Sequence, residues 1–105
     1  MNQPSTSDHV LSRRLAALAH PARIEILRHL ACTDSRCCKD VVGAFDLAQS
    51  TVSQHLKVLV DAGLVDFATD GKRSRYRVDR AALESLRADI DLVLSGCCTH
   101  EINPD

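Results

Sequence analysis

The chain has 105 residues, of which 45% are hydrophobic and 26% charged, with a formal net charge of −1. This is the composition of one small globular domain and excludes a disordered chain. No apolar run approaches the ~18 residues of a membrane span, and the polar start MNQPSTSD lacks the features of a secretory signal, so we expect a cytoplasmic protein with no membrane partner.

Three helices are predicted in the first half of the chain. Residues 1–7 are polar and expected to be flexible, and a first helix begins at Asp8, where leucines recur at helical spacing. Pro21 suits the first position of a second helix, which is predicted to end between residues 32 and 35. A short third helix is predicted from residue 38 to residue 44.

A fourth helix, a β-hairpin and a fifth helix complete the predicted order ααααββα. Gly63 is a natural terminator for the fourth helix, the Asp70-Gly71 pair is typical of a hairpin turn, and Asp79 can cap the fifth helix. The predicted limits of these elements are residues 49–62, 64–69, 74–78 and 79–95. We therefore expect a mainly helical fold class in which residues 8–96 form the domain and residues 97–105 a cysteine-containing tail.

The third and fourth helices, joined by a tight turn, have the helix-turn-helix arrangement. Small or amide side chains lie near the start of the fourth helix, where recognition helices contact bases, and the hairpin adds basic residues that suit phosphates. The predicted DNA-binding residues are Gln49, Ser50, Thr51, Ser53, Gln54, Lys57, Lys72, Arg73 and Arg75. Each feature alone could be a solvated surface, but their succession favours double-stranded DNA as the partner.

Five cysteines provide candidate metal ligands. Neighbouring Cα atoms lie ~3.8 Å apart, below the ~4.4–6.8 Å of a disulfide, so adjacent cysteines are better interpreted as reduced thiols, which prefer soft ions. The candidate ligands are Cys37, Cys38, Cys97 and Cys98, with Cys32 as a further candidate. The alternative is a buried thiol that packs as a small hydrophobe, which suits Cys32 best.

Apolar residues of the fifth helix are spaced three, four and three apart, which is typical of a helix–helix seam. A small domain with such a seam near its end is expected to form a homodimer. The predicted interface residues are Leu83, Leu86, Ile90 and Val93.

Three segments resemble the ArsR/SmtB family of metal-responsive winged-helix repressors: LAALAHPARIEILRHL (15–30), QSTVSQHLKVLVDAGLV (49–65) and GKRSRYRV (71–78). The resemblance implies a homodimer held by the first and last helices, a recognition helix at Gln49 and a wing at Gly71. It departs at Ala48, where similar proteins often place a serine. In similar arsenic sensors a C-x-C pair occupies the third helix; Cys37 matches its first thiol, whereas Lys39 replaces the second.

The resemblance implies a repressor that leaves its operator when thiolates bind trivalent arsenic or antimony, with cadmium, lead or zinc as other candidate ions and no organic cofactor. His100 and Glu101 are similar to the zinc ligands of some relatives, but the full spacing is missing. The alternative on the same fold is a redox or persulfide sensor that uses the cysteines as a thiol switch. An enzyme is not expected, because no C-x-x-C motif, nucleotide-binding glycine pattern or nucleophile–base pair is present.

Overall fold

Five helices and a three-stranded sheet make up the part of the chain that the computed structural model describes. It gives the backbone of residues 6–32 and 36–102 and the side chains of residues 7–32, 41–69 and 71–98. In chain order the elements are α1 (Thr6–Leu18), α2 (Pro21–Ala31), β1 (Arg36–Cys37), α3 (Cys38–Ala44), α4 (Gln49–Asp61), β2 (Val65–Asp70), β3 (Arg73–Val78) and α5 (Arg80–Ile102). This is a winged helix-turn-helix, and the predicted fold class is confirmed.

The core is aliphatic, as the scarcity of aromatic residues predicts. Side chains from α2, α3 and α4 meet the start of the hairpin and the first half of α5. The large side chains of the core that are fully buried are Ile26, Leu30, Val41, Val52, Leu56, Leu59 and Leu64. Burial of each such side chain contributes about 1.5–3 kcal/mol, so the buried stripe of α4 anchors that helix with its opposite side outward.

Local signals set the ends of α4 and the entry to the hairpin. Gly63 has a φ of +81°, its N–H donates to Val60 O at 2.9 Å and Leu64 N–H donates to Leu59 O at 3.0 Å. This is a Schellman ending, in which a left-handed residue satisfies the last helical carbonyls. Leu64 is fully buried beside it, which fixes the direction in which the chain enters β2.

The sheet has the order β1-β3-β2 and is antiparallel throughout. Gly71 turns the hairpin with a φ of +63°, and β3 is the central strand. β1 adds only two residue pairs, Arg36 with Tyr76 and Cys37 with Arg75. The short strand before α3 therefore lies directly beside the basic strand of the hairpin.

The structure differs from the sequence-based expectation in three places. The two-residue strand β1 was not predicted, because its pairing with β3 joins segments far apart in the chain. α1 begins at Thr6 and α5 runs to Ile102, so the predicted start of the first helix at Asp8 and the predicted end of the fifth helix at residue 95 are wrong. Gly96 costs a helix only about 1 kcal/mol relative to alanine, which is too little to end a helix of 23 residues.

One residue of the predicted dimer seam belongs to the core of a single chain. Leu86 is only 5% exposed, so its assignment to a dimer interface is corrected: the spacing marks the side of α5 that packs on its own domain. Leu83 and Ile90 are partly buried against the same core, whereas Val93 is 49% exposed. Among the described residues, none of the helices combines the length and apolar character needed to cross a membrane.

Candidate DNA interface and cysteine sites

The two sides of α4 differ sharply in exposure. Val52, Leu56 and Leu59 are completely buried, which determines which side of the helix faces the core. The predicted base-contacting residues consequently divide into exposed Gln49, Ser50, Gln54 and Lys57 and half-buried Thr51 and Ser53. The exposed group presents short polar and amide side chains along the first two turns, the part of such a helix that enters a major groove.

The start of α4 has a backbone cap without a side-chain cap. Ala48 takes the N-cap position with φ −65° and ψ 149° and makes no side-chain hydrogen bond to the first turn. Its carbonyl accepts from Val52 N–H at 3.1 Å. The first N–H groups of a helix need partners from outside the helix, and phosphate oxygens are a favourable partner for them.

The hairpin displays its basic residues on the side away from the core. Arg73, Arg75 and Arg77 alternate with Ser74, Tyr76 and buried Val78, so the arginines share one face. Lys72 and Arg73 at the tip are exposed and Arg75 is half-buried.

Cross-strand neighbours distinguish the arginines of the hairpin. Asp66 lies opposite Arg77, Asp70 lies opposite Arg73 and Ala68 lies opposite Arg75. A carboxylate opposite an arginine offsets its charge. The register therefore places a carboxylate opposite Arg77 and another opposite Arg73, while Lys72 lies in the turn, outside the paired positions.

The cysteines occupy three separate places in the fold. Cys32 is exposed at the C-cap of α2, where its Sγ lies 3.5 Å from Arg28 O. Cys97 and Cys98 are exposed on α5. Cys37 lies in β1 and Cys38 begins α3; their side chains, like those of His100 and Glu101, lie outside the described ones.

No group of three or more potential metal ligands comes together within the described side chains. Cys97 and Cys98 are consecutive on a helix and point about 100° apart, so this pair supplies at most two sulfurs. Trivalent arsenic bound by thiolates takes three sulfurs in a pyramid. The donor chemistry of this pair fits a soft ion, and a three-sulfur site would need a third thiolate from another segment or another chain.

His55 is the buried polar residue of α4. It is 9% exposed, as expected for a histidine packed within this helix, and its ring lies 4.6 Å from the ring of His20, centroid to centroid. Burial lowers the pKa of His55 below its ordinary value of 6.5, and the nearby charges of His20 and Arg23 lower it further. The imidazole is therefore neutral near pH 7.

Two residues near His55 have roles that sequence reasoning missed. His20 caps α2, since its Nδ1 accepts from Ala22 N–H at 3.1 Å. Arg23 donates through Nε to His55 Nδ1 at 3.2 Å and through Nη1 to Ala17 O at 3.4 Å. A histidine before a proline at a helix start could have indicated the cap; no local signal indicates that Arg23 reaches a residue 32 positions away.

Comparison with known sequences gives a consistent set of similarities. A sequence profile described as "Bacterial regulatory protein, arsR family" matches residues 20–66. The "Arsenical resistance operon repressor" of Staphylococcus xylosus is 34% identical over 83 residues, which cover 79% of this chain and 79% of the relative. The "Probable mercury resistance operon repressor" of Streptomyces lividans is 32% identical, covering 91% of this chain and 81% of the relative.

Known structures share the fold. An "ArsR-like Transcriptional Regulator" from Rhodococcus sp. RHA1 superposes with a TM-score of 0.83 at 21% identity, covering 93% of this chain and 92% of that one. The solution structure of a "homodimeric winged helix-turn-helix DNA-binding domain" from Mycobacterium bovis has a TM-score of 0.69 at 26% identity, with 90% of each chain covered.

Proposed function

We propose, on the premise that this chain belongs to the arsR family of bacterial regulatory proteins, that its cysteine thiolates bind trivalent arsenic or antimony. The chain is a DNA-binding transcriptional repressor and not an enzyme. In this proposal it acts in the cytoplasm as a homodimer. Binding of the ion releases the operator. Cadmium, lead and zinc are the other candidate ions, and no organic cofactor is required.

The observation that carries the DNA-binding part is the division of α4 into a buried and an exposed side. With three aliphatic residues locked into the core, α4 can only present the side with Ser50, Gln54 and Lys57. A glutamine can form two hydrogen bonds with adenine, and short serines let the helix approach base edges. Lys72 and Arg73 at the wing tip suit the flanking phosphates.

The second half of α5 supports the dimer. Every described side chain from Asp91 to Cys98 is exposed in the single chain, although Leu92, Val93 and Leu94 are large and apolar. Leu15 of α1 is also 43% exposed. An apolar helical surface of this kind is typical of a protein interface, and the Mycobacterium bovis domain of the same fold is described as homodimeric.

The positions of the cysteine pairs support the sensor. Cys97 and Cys98 lie on the uncovered half of α5, so an ion bound there would act on the arrangement of two subunits. Cys37 pairs through its backbone with Arg75 of the wing, so an ion bound at Cys37 and Cys38 would act on the DNA-binding surface itself. Relatives named for arsenical and mercury resistance are associated with ions that prefer thiolates.

Only a small coupling free energy between ion binding at either cysteine pair and DNA binding is needed to release the operator. A dimer reads two half-sites about one turn of DNA apart, so a change in the separation or tilt of the two α4 helices weakens both contacts at once. A coupling free energy of about 1–3 kcal/mol changes the affinity about 5- to 150-fold.

The test is fluorescence anisotropy with a duplex that the protein selects from random sequence. We expect arsenite to release the wild-type protein and to fail to release Cys37→Ser/Cys38→Ser or Cys97→Ser/Cys98→Ser. Cys32→Ser tests the further candidate ligand. Release that persists in every serine variant contradicts the assignment of these cysteines.

The alternative is a thiol switch, which the solvent accessibility of Cys32, Cys97 and Cys98 also favours. Mass spectrometry after treatment with arsenite or with tetrasulfide distinguishes it from the metalloid sensor. Arsenic adducts with release support the metalloid sensor. Sulfur cross-links with release, and no effect of arsenite, support the redox sensor instead.

A further inference from the structure

A partly buried arginine side chain links α4 to α1 and α2 on the side of α4 that faces the domain. The Arg23 side chain of α2 donates through Nε to His55 Nδ1 of α4 at 3.2 Å and through Nη1 to the carbonyl of Ala17, near the end of α1, at 3.4 Å. Ala17 is 3% exposed and His55 is 9% exposed. One guanidinium thus joins three helices on the side of α4 opposite its exposed polar residues.

A second hydrogen bond holds the C-terminal end of α4. Arg13 of α1 donates through Nη2 to the carbonyl of Asp61, the last residue of α4, at 2.9 Å. His55 and Asp61 are six residues apart, or about 9 Å along the helix axis. Two fixed points at this separation restrain both the position of α4 along its axis and its rotation about that axis.

The bond requires one protonation state of His55. Nδ1 accepts from an arginine that is always charged, so Nδ1 carries no proton and the neutral ring is protonated on Nε2. The charged or titratable groups recorded against His55 are Arg23 and His20, both contributed by α2 and the residue before it. Both disfavour a second proton on the ring.

We propose that Arg23 is a positioning residue for DNA binding: acting through His55, it fixes the rotation of α4 so that Ser50 and Gln54 meet base edges, although Arg23 itself touches no DNA. The inference rests on the proposed role of α4 as the DNA-reading helix. A contact made by bidentate hydrogen bonds depends on both distance and angle, so a small rotation of α4 weakens it. Aliphatic packing alone, without a directional bond, leaves this rotation less well defined.

The test compares Arg23→Met with Arg28→Met. Methionine keeps the apolar stem and removes the donors. Arg28 is on the same helix but exposed and paired with Glu25, which makes it a matched control. We expect Arg23→Met to lose about tenfold in affinity for the selected duplex, the scale of one lost hydrogen bond, while Arg28→Met keeps wild-type affinity.

Three further measurements separate positioning from a general loss of stability. In the wild type, long-range ¹H–¹⁵N spectra are expected to show His55 protonated on Nε2 alone; a spectrum with the proton on Nδ1 overturns the proposal. His55→Leu added to Arg23→Met is expected to cause no further loss of affinity, since both changes remove the same bond. Arg23→Lys keeps the positive charge and replaces Arg23→Met in the test if Arg23→Met does not fold. We expect Arg23→Lys to bind DNA more weakly than the wild type at temperatures where the variant is fully folded.

Gln54→Ala distinguishes failure of this inference from failure of the proposed function. If Gln54→Ala weakens binding and folded Arg23→Met does not, Arg23 is not a positioning residue. If Gln54→Ala leaves the affinity unchanged as well, α4 is not the DNA-reading helix, and the inference falls with that assignment.

Discussion

The uncovered half of α5 allows a quantitative prediction for Leu94→Ala. Leu94 is 57% exposed in the single chain and lies about 40° from Ile90 and about 60° from Cys97 around the helix. Each buried methylene contributes about 0.8 kcal/mol, and the substitution removes three carbons. If a partner covers the exposed fraction, the loss is about 1.4 kcal/mol per protomer. A symmetric dimer contains this contact twice, so its dissociation free energy falls by about 3 kcal/mol and its dissociation constant rises about 100-fold.

Leu92→Ala is the matched control for this prediction. It is the same chemical change two residues away, about 200° around the helix from Leu94, at a side chain that is 72% exposed. Sedimentation equilibrium of the reduced protein measures both constants. We expect only Leu94→Ala to shift the equilibrium toward monomer. An unchanged constant for Leu94→Ala, or an equal effect of Leu92→Ala, would refute the placement of the interface on this side of α5.

Three more predictions follow from the ends, the interior and the charges of the DNA-binding elements. The pKa of His55 is lowered in the folded protein, so the contribution of His55 to the free energy of unfolding is expected to be fully present above pH 6.5. Below pH 6.5 this contribution falls, because the unfolded chain takes up a proton that the folded chain does not. Urea denaturation at pH 7.5 and 5.5 is expected to show a smaller difference in the free energy of unfolding for His55→Asn than for the wild type. Ala48→Ser supplies the missing side-chain cap of α4 and is expected to add about 1 kcal/mol to the free energy of unfolding, whereas no change in the urea midpoint would mean that the first turn is already satisfied. Arg73→Ala is expected to weaken binding to selected and unrelated duplexes alike and to reduce the salt dependence by about one phosphate contact per protomer; a loss confined to the selected duplex would contradict a phosphate contact.

The elements that the sequence predicts well are those that depend on local chemistry. Gly63 and Gly71 adopt the left-handed backbone that few other residues tolerate. Asp79 caps the start of α5, where its Oδ1 accepts from Ala82 N–H at 3.0 Å. The buried stripe of α4 follows helical periodicity. The end of α4, the start of α5, the hairpin turn and the exposed side of α4 could therefore be placed from short stretches of chain.

The features that escaped prediction depend on contacts between distant segments. β1 is two residues long and exists only because β3 lies beside it. Arg23 and His55 meet across 32 positions. Leu86 shows what helical periodicity does not predict, because the same spacing of apolar residues is found whether a helix packs on its own domain or on a partner subunit.

The pairing of Cys37 with Arg75 has a practical consequence for redesign. Strands pair through main-chain groups, so displacement of β1 reaches the wing whatever side chains either strand carries. The proposed ion ligand at position 37 and the proposed phosphate contact at position 75 can therefore be exchanged independently. A chain of this architecture is suited to conversion into a reporter for other thiol-seeking or imidazole-seeking ions, with its promoter recognition left as it is.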